Sequence, residues 1–167
     1  LAKVRIEAMY SNQSADGLLT FFEQQAGKNT VNTTSWLAAQ YGKALSLMQL
    51  HRTAEAGEIL AMLIKHQPDN LFFQDSLTDQ EIDAQQFNAA ISRLEQRNLN
   101  MQENPVIIMN LANVYLKANR ADSATRLLDQ YTRNNPESSV AWQLLAEGYQ
   151  QTANQAGFHQ AQAEYLA

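Results

Sequence analysis

Apolar residues recur along this chain at intervals of three and four positions, the spacing that gives a helix one buried face. The clearest examples are NPVIIMNLANVYLKA at 104–118 and SSVAWQLLAEGYQQ at 138–151. A short polar turn and a second amphipathic segment follow the first of these, SATRLLDQYTRN at 123–134. No stretch keeps the alternation of period two that a half-buried strand requires. The pattern therefore predicts an all-α protein built from helix–turn–helix pairs.

The predicted pairs repeat at one fixed interval, which two columns of small residues make visible. One column holds a small residue in the first helix, and a second column holds an alanine in the second helix. The members are Ala44, Thr78, Ala112 and Ala146 in the first column, and Ala56, Ala90 and Ala124 in the second. Proline closes two of the periods, at 68 and 136, whereas Gln102 stands at that position between them. The common interval is about 34 residues, a period that predicts a solenoid of stacked helix pairs.

These columns resemble the tetratricopeptide repeat, whose pattern is W-x2-L-G-x2-Y in the first helix, A-x3-F in the second and then a proline. The residues that match it in the last two periods are Leu111, Ala112, Tyr115, Ala124, Leu128 and Pro136, followed by Trp142, Leu145, Ala146 and Tyr149. The first period matches at Ala44, Leu47, Ala56, Leu60 and Pro68. The middle period is degenerate, with Thr78 in place of the small residue and Glu81 in place of the aromatic one. The resemblance implies a right-handed superhelix of α-α hairpins.

The same resemblance explains why a small residue lies on the buried face of 138–151. In such a repeat the two helices cross closely, and the small residue of the first faces the alanine of the second. We therefore expect the partner helix to pass over Ala146, with Trp142 and Tyr149 on either side.

The domain organisation follows from the repeats. Residues 1–33 are expected to form a lead-in helical hairpin, ahead of repeats at about 34–68, 69–103, 104–137 and 138–167, the last truncated. The stretch GKNTVNTTS at 27–35 is the predicted linker, with Ser35 as a helix cap. The chain begins inside an amphipathic segment and stops within the repeat pattern, so we expect it to be a piece of a longer protein with any targeting signal upstream.

Composition and charge exclude several function classes. The 167 residues are 45% apolar and 17% charged, as in a soluble globular domain. The formal charge of −5, with no cluster of lysine and arginine, argues against a nucleic-acid partner. No apolar run approaches the roughly 18 residues of a membrane-spanning helix. The absence of cysteine excludes disulfides and thiol chemistry without identifying the compartment.

No catalytic motif is present in the sequence. The three histidines, His51, His66 and His159, form no H-E-x-x-H pair, and the six glycines form no phosphate-binding loop. We therefore expect no catalytic residue, no metal ligand and no cofactor in this chain.

Four phrases carry a more specific resemblance. They are LAKVRIEAMYS at 1–11, AAQYGKAL at 38–45, NPVIIMNLANVYL at 104–116 and AEYLA at 163–167. In residue identity, order and spacing they resemble the C-terminal half of BepA-type periplasmic zinc metalloproteases. The resemblance implies a signal peptide and a zinc protease domain with H-E-x-x-H, both outside this sequence, so no zinc ligand or catalytic glutamate carries over to any residue here.

The same resemblance implies a location and partners. Members of that family act in the periplasm on outer-membrane β-barrel proteins, degrading stalled ones or aiding assembly, and contact the barrel-assembly machinery. The chain would then be a non-catalytic docking module for its own protease domain, for barrel clients and for that machinery.

The repeat register also gives candidate partner-binding positions on the concave groove. They are Tyr41, Leu45 and Gln49, then Asp75, Asp79 and Asp83, then Met109, Asn113 and Lys117, and finally Gln143, Glu147 and Gln151. The three aspartates are spaced i, i+4 and i+8. They form either a solvated face, eased by Lys43 and Lys117, or a surface that receives basic or polar partner segments.

Two alternatives remain open at this point. A free-standing scaffold or co-chaperone with a carboxylate clamp needs lysine and asparagine donors in the groove, and only Asn113 and Lys117 fit. A secretion-system chaperone would cradle an extended apolar segment, which Leu45 and Met109 would permit.

Overall fold

A computed structural model describes residues 1–101 and 104–166. Gln102 of the proline column and the predicted repeat ends at 103 and 167 lie outside the described residues. The regular structure within these ranges is helical throughout, which confirms the predicted all-α class. The helices are α1 Ala2–Tyr10, α2 Ala15–Lys28, α3 Thr34–Gln49, α4 Thr53–His66, α5 Leu71–Asp83, α6 Phe87–Asn100, α7 Pro105–Lys117, α8 Ala121–Asn134, α9 Ser139–Gln151 and α10 Gln155–Leu166.

The chain forms two compact units, Leu1–Ala84 and Gln85–Ala167. In the first unit, α1, α2 and α4 each pack on α3, and α5 packs on α4. In the second unit, α7 packs on α6, α8 and α9, and α9 packs on α8 and α10. Helices close in sequence therefore cover one another, which is how a repeat solenoid is stabilised.

The cores of both units are built from the predicted columns. In the first unit, Tyr41, Ala44, Leu60 and Phe73 belong to one fully buried cluster. In the second unit, the corresponding cluster includes Ile108, Ala112, Leu128, Tyr131 and Leu145. Ala56 and Ala124, of the alanine column, have no exposed surface. The repeat-defining positions Ala44, Leu60, Ala112, Leu128 and Leu145 thus lie in these two cores.

Several helices, α3, α5 and α7 among them, begin after a side chain that accepts a hydrogen bond from a backbone N–H of the first turn. Thr33 Oγ1 accepts from the backbone N–H of Trp36 at 3.2 Å, so Thr33 is the cap of α3 and the prediction of Ser35 is wrong. Asn70 and Asn104 cap α5 and α7 in the same way, each with Oδ1 3.1 Å from the backbone N two residues on. These two caps are one repeat period apart.

The last helix departs from the predicted crossing. The position in α10 that corresponds to the alanine column is Phe158, which is half-buried, and Ala161 is the buried alanine that shares a cluster with Ala146. Helix α10 comes close to the expected aromatic residue at Gly157, where an added Cβ would lie 2.8 Å from the Tyr149 ring. The small residues that allow this crossing are therefore Gly157 and Ala161.

A further column of residues, which the sequence pattern does not predict, lies in the turn between the two helices of each pair. His51, Gln85, Asn119 and Ala153 all have a φ of 56° or 57°, and they follow one another at the repeat period. At three of them the next residue donates its backbone N–H five positions back: Arg52 to Leu47, Arg120 to Tyr115 and Asn154 to Tyr149. This is the Schellman helix ending, which usually has glycine at the left-handed position.

The left-handed column predicts opposite effects for one substitution at two alanines. Ala153→Gly should stabilise the chain by roughly 1 kcal/mol, because glycine adopts positive φ without the steric penalty of a Cβ. The matched control Ala163→Gly, at an exposed position inside α10, should destabilise it by about 0.5–1 kcal/mol. Urea unfolding curves measure both changes, and a loss of stability in Ala153→Gly would contradict the turn geometry.

Candidate partner-binding surface

The predicted acidic stripe on α5 is partly neutralised by α1. Arg5 Nη1 lies 2.5 Å from Asp75 Oδ2. In the first unit Lys43 pairs with Glu23 at 3.2 Å, and in the second unit Lys117 pairs with Glu147 at 3.9 Å, so the expected relief by these two lysines stays a prediction. Two carboxylates of the stripe, Asp79 and Asp83, remain exposed on α5.

The pKa of Asp79 is unusually high for an aspartate that is exposed to solvent. Partial desolvation and then the negative charge of Asp75 raise its pKa to about 6, against the smaller opposite effect of Arg5. Asp83 adds to the upward shift. The side chain is nevertheless exposed, so solvent screens much of the energetic consequence.

Tyr41 does not lie on an accessible surface. Its side chain has no exposed area, and its hydroxyl lies 2.9 Å from Ser76 Oγ inside the first unit. Burial also raises the pKa of this phenol. The predicted role of Tyr41 as a groove residue is therefore corrected: it is a core residue that joins α3 to α5.

Helix α1 occupies further predicted groove positions of the first unit. Gln49 donates through Nε2 to the carbonyl of Ala8 at 2.7 Å, while Asp75 holds Arg5. Leu1 and Val4 pack against the same core cluster as Leu45, which is half-buried. The lead-in helix thus lies along α3 and α5 and engages side chains that the repeat register assigns to a partner.

The degenerate middle period keeps its polar residues satisfied inside the first unit. Thr78, at the small-residue position, donates to the carbonyl of Gln74 at 3.0 Å. Gln80 is buried and donates to the carbonyl of Thr53 at 3.0 Å. These bonds explain why α5 can bury a polar face without the cost of unpaired groups.

In the second unit, the predicted groove positions form a row along α7 and α9. Met109 is half-buried against the core cluster, and Asn113 is partly exposed beyond it. At the end of the row Lys117 pairs with Glu147, and Gln151 Nε2 lies 3.4 Å from Glu147 Oε1. Gln143 is exposed on α9. The arrangement offers mixed polar contacts rather than a cluster of cations.

A pair of tyrosine–carboxylate bonds repeats in the second unit, and the sequence does not predict it. The hydroxyl of Tyr115 donates to Glu95 Oε1 at 2.5 Å, and that of Tyr149 donates to Asp129 Oδ1 at 2.7 Å. The two donors are one repeat period apart, and so are the two acceptors. Desolvation and the bonded carboxylate raise the pKa of both phenols to about 12. In α7 and α9, the tyrosine of the aromatic column thus bonds the first helix of a pair to the second helix of the preceding pair.

The indole of Trp142 has a related structural bond. Its Nε1 donates to the carbonyl of Pro136 at 2.7 Å, and Pro136 itself follows the end of α8. Both repeat-defining residues therefore act in the connection between α8 and α9.

Neither a metal site nor a membrane span is found among residues 1–101 and 104–166. No group of three or more histidine, aspartate or glutamate side chains in these ranges could hold a metal ion. His51 lies in the α3–α4 turn, and the ring of His66 stands 6.4 Å from that of Trp36. The described histidines therefore do not fit the zinc of a metalloprotease. None of the described helices is long and apolar enough to cross a bilayer.

Comparison with known proteins identifies the repeat and its relatives. The tetratricopeptide repeat family matches residues 81–148. The beta-barrel assembly-enhancing protease of Escherichia coli strain K12 is 35% identical over 147 residues, which are 88% of this chain and 29% of the relative. The protein of the same name from Yersinia pestis is 36% identical over 146 residues, 87% of this chain and 29% of the relative. The chain is therefore a tetratricopeptide-repeat domain homologous to part of these proteases, and it spans less than a third of their length.

Solved structures support the fold. Nearly identical TPR-like repeats assigned to a kinesin light chain of Podosopora anserina superpose with a TM-score of 0.76 at 19% identity, covering 98% of this chain and 90% of that one. MamA from strain AMB-1 gives a TM-score of 0.60 at 14% identity, covering 98% and 93%. The predicted repeat architecture is thus confirmed.

The tyrosine–carboxylate bond predicts a measurable coupling. Tyr149→Phe should lower the free energy of unfolding by about 1 kcal/mol, because the substitution removes one hydrogen bond and leaves the ring in place. Adding Tyr149→Phe to Asp129→Ala should cost less than adding it to the wild type, because alanine offers the hydroxyl no acceptor. Tyr10→Phe, at an exposed position of α1, is the control. If the loss of stability in the double variant equals the sum of the losses in the two single variants, the two side chains are not directly bonded.

The raised pKa of Asp79 predicts a pH-dependent stability. The pKa of Asp79 in the folded protein is above its usual value, so the folded state is favoured when this carboxyl is protonated. Its contribution to the free energy of unfolding is therefore complete below about pH 4 and is lost as the pH rises through about 6. Asp79→Asn should therefore be more stable than the wild type at neutral pH, by no more than about 1 kcal/mol given solvent screening.

The pH profile provides the check. Thermal unfolding across the acidic to neutral range should show the advantage of Asp79→Asn shrinking towards pH 4. Glu164→Gln, which removes one exposed carboxylate on α10, is the charge control. An advantage of the same size at every pH would show that the shifted ionisation is not its cause.

Proposed function

We propose that this chain is the non-catalytic docking domain of a periplasmic protease that enhances the assembly of outer-membrane β-barrel proteins. In this proposal the domain binds its own protease domain, β-barrel clients and the barrel-assembly machinery. The zinc and the peptidase residues belong to the part of the protein outside this chain.

The observation that carries the proposal is the homology. Two curated relatives named for both protease activity and β-barrel assembly align with 87–88% of this chain at 35–36% identity. The aligned part is a tetratricopeptide-repeat domain, an architecture whose stacked helices present extended binding surfaces.

In the first unit, the exposed carboxylates of α5 are the proposed site of electrostatic recognition. Asp79 and Asp83 remain exposed, while Asp75 is engaged by Arg5. A carboxylate surface of this kind attracts basic or polar segments and raises their rate of association. In the second unit, Met109, Asn113, Lys117 and Glu147 offer apolar and polar contacts along α7 and α9.

The alternative of a free-standing co-chaperone with a carboxylate clamp has less support. Its two suitable donors are Asn113 and Lys117, and Lys117 lies 3.9 Å from Glu147. An acidic neighbour competes with the carboxylate of a partner for the same ammonium group.

Charge reversal at Asp79 tests the proposed surface. Asp79→Lys should weaken binding to an unfolded outer-membrane β-barrel protein or to the purified assembly machinery by about tenfold at low salt, equivalent to about 1.4 kcal/mol. The loss should diminish as salt is added, because screening removes the charge interaction in both proteins. Calorimetric titration at low and high salt gives both quantities.

Glu164→Lys on α10 is the matched charge-reversal control, and thermal unfolding verifies that both variants are folded. Binding of Asp79→Lys that equals the wild type at low salt would exclude this surface. Failure of the wild-type chain to bind any of these partners would overturn the proposed function itself.

A further inference from the structure

Two clefts on the second unit repeat one another at the period of the helix pairs. The first, of about 410 Å³, lies among α6, α7 and α8, and the second, of about 460 Å³, lies among α8, α9 and α10. Every residue that lines the first has its counterpart one period later in the lining of the second. Examples are Glu95 and Asp129, Tyr115 and Tyr149, and Leu127 and Ala161. Both volumes fall in the range of ligand-binding clefts.

Each cleft has one wall held in place by the tyrosine–carboxylate bond. Glu95 receives the hydroxyl of Tyr115 in the first cleft, and Asp129 receives that of Tyr149 in the second. The exposed positions around these walls differ: Leu99 of the first corresponds to Arg133 of the second, and Arg126 corresponds to Gln160. The repeat therefore conserves a shape and changes the chemistry at its rim.

The first cleft continues into an uncharged cavity. This adjoining space of about 250 Å³ shares Asn98, Leu99 and Leu127 with the first cleft. The rest of its lining is Ile108, Gln130, Tyr131, Asn134 and Asn135. Among the described residues, none that lines this cavity carries a charge, although the whole chain has a net charge of −5. Leu99 at its edge is 74% exposed.

We propose that the α6–α8 surface, comprising this cavity and the three residues that it shares with the first cleft, binds an extended, uncharged segment of another polypeptide with alternating aliphatic and polar side chains. An aliphatic side chain would enter between Ile108, Leu127 and Tyr131. The amide groups of Asn98 and Gln130 would donate to and accept from its backbone, as amides can do both. The alternation follows from the two-residue period of an extended chain.

The amide groups of the lining favour an extended segment over a helix. A helix of about 14 residues such as α8 is roughly 21 Å long, so about six extended residues at 3.3 Å each lie along it. A docked helix pairs its own backbone N–H and C=O groups, so it would offer Asn98 and Gln130 none of the backbone partners that an extended segment offers. The uncharged lining gives no compensation for a buried charge, which excludes strongly charged segments.

This surface is formed by the second helices α6 and α8 with Ile108 of α7, and its residues are not those of the α5 carboxylates or the α7–α9 row of the proposed function. The inference does not depend on that function, and Asp79→Lys should leave it unchanged.

The test uses an end-blocked peptide of about eight residues with alternating leucine and glutamine, titrated into the full chain labelled with nitrogen-15. We expect saturable shifts of backbone amides in α6 and α8. Leu99→Asp should weaken binding at least tenfold, because it places a charge beside the aliphatic contact. Val140→Asp, at an apolar position of α9 that is 53% exposed, is the matched control and should bind like the wild type.

A second peptide separates backbone recognition from general stickiness. Methylation of alternate backbone nitrogens removes donors without changing the side chains, and it should weaken binding by a similar factor. Absence of saturable shifts, wild-type affinity in Leu99→Asp, or equal binding by a peptide with glutamate in place of leucine would each overturn the proposal.

Discussion

The structure depends on the close approach of helices at a few small residues. A Cβ on Gly42 would lie 2.5 Å from the Phe22 ring, and one on Gly148 would lie 2.7 Å from Thr125 Cγ2. Ala112 and Ala124 have no exposed surface. Inserting a larger side chain at such a crossing costs about 1–3 kcal/mol. A helix pair cannot bury its apolar face alone, so these short contacts, made within each unit, stabilise every pair through its neighbours.

The sequence predicts the helices and the repeat because buried positions are marked by apolar residue types. Ala44 and Ala112 belong to one column of small residues and Leu60 matches the repeat pattern in the second helix, and the structure buries all three. The left-handed column is different: His51, Gln85, Asn119 and Ala153 share no chemical property that marks the conformation. Their φ values accompany the hydrogen bonds that end the preceding helices, which are backbone interactions. The tyrosine–carboxylate pairs join residues that are distant in the sequence, so they become recognisable only once the packing of the helices is known.

The groove prediction is less complete for a related reason. Repeat register states which positions of α3 and α5 face the same side, but it contains no information on a helix that precedes the repeats. In the first unit, α1 takes up that side through Arg5 on Asp75 and Ala8 on Gln49. Register alone assigns Tyr41 to the surface, yet its bond to Ser76 and the packing of Phe73 bury it.

A repeat constrains buried positions far more tightly than exposed ones, and this difference allows one architecture to carry several surfaces. Leu111 and Leu145 are equivalent and both buried, whereas the equivalent cleft residues Leu99 and Arg133 differ in polarity and charge. Substitution at an exposed position usually changes stability by less than about 0.5 kcal/mol, so it can vary without cost to the fold. Binding specificity in this chain must therefore be sought where equivalent residues differ, since the residues that define the repeat are occupied with holding the helices together.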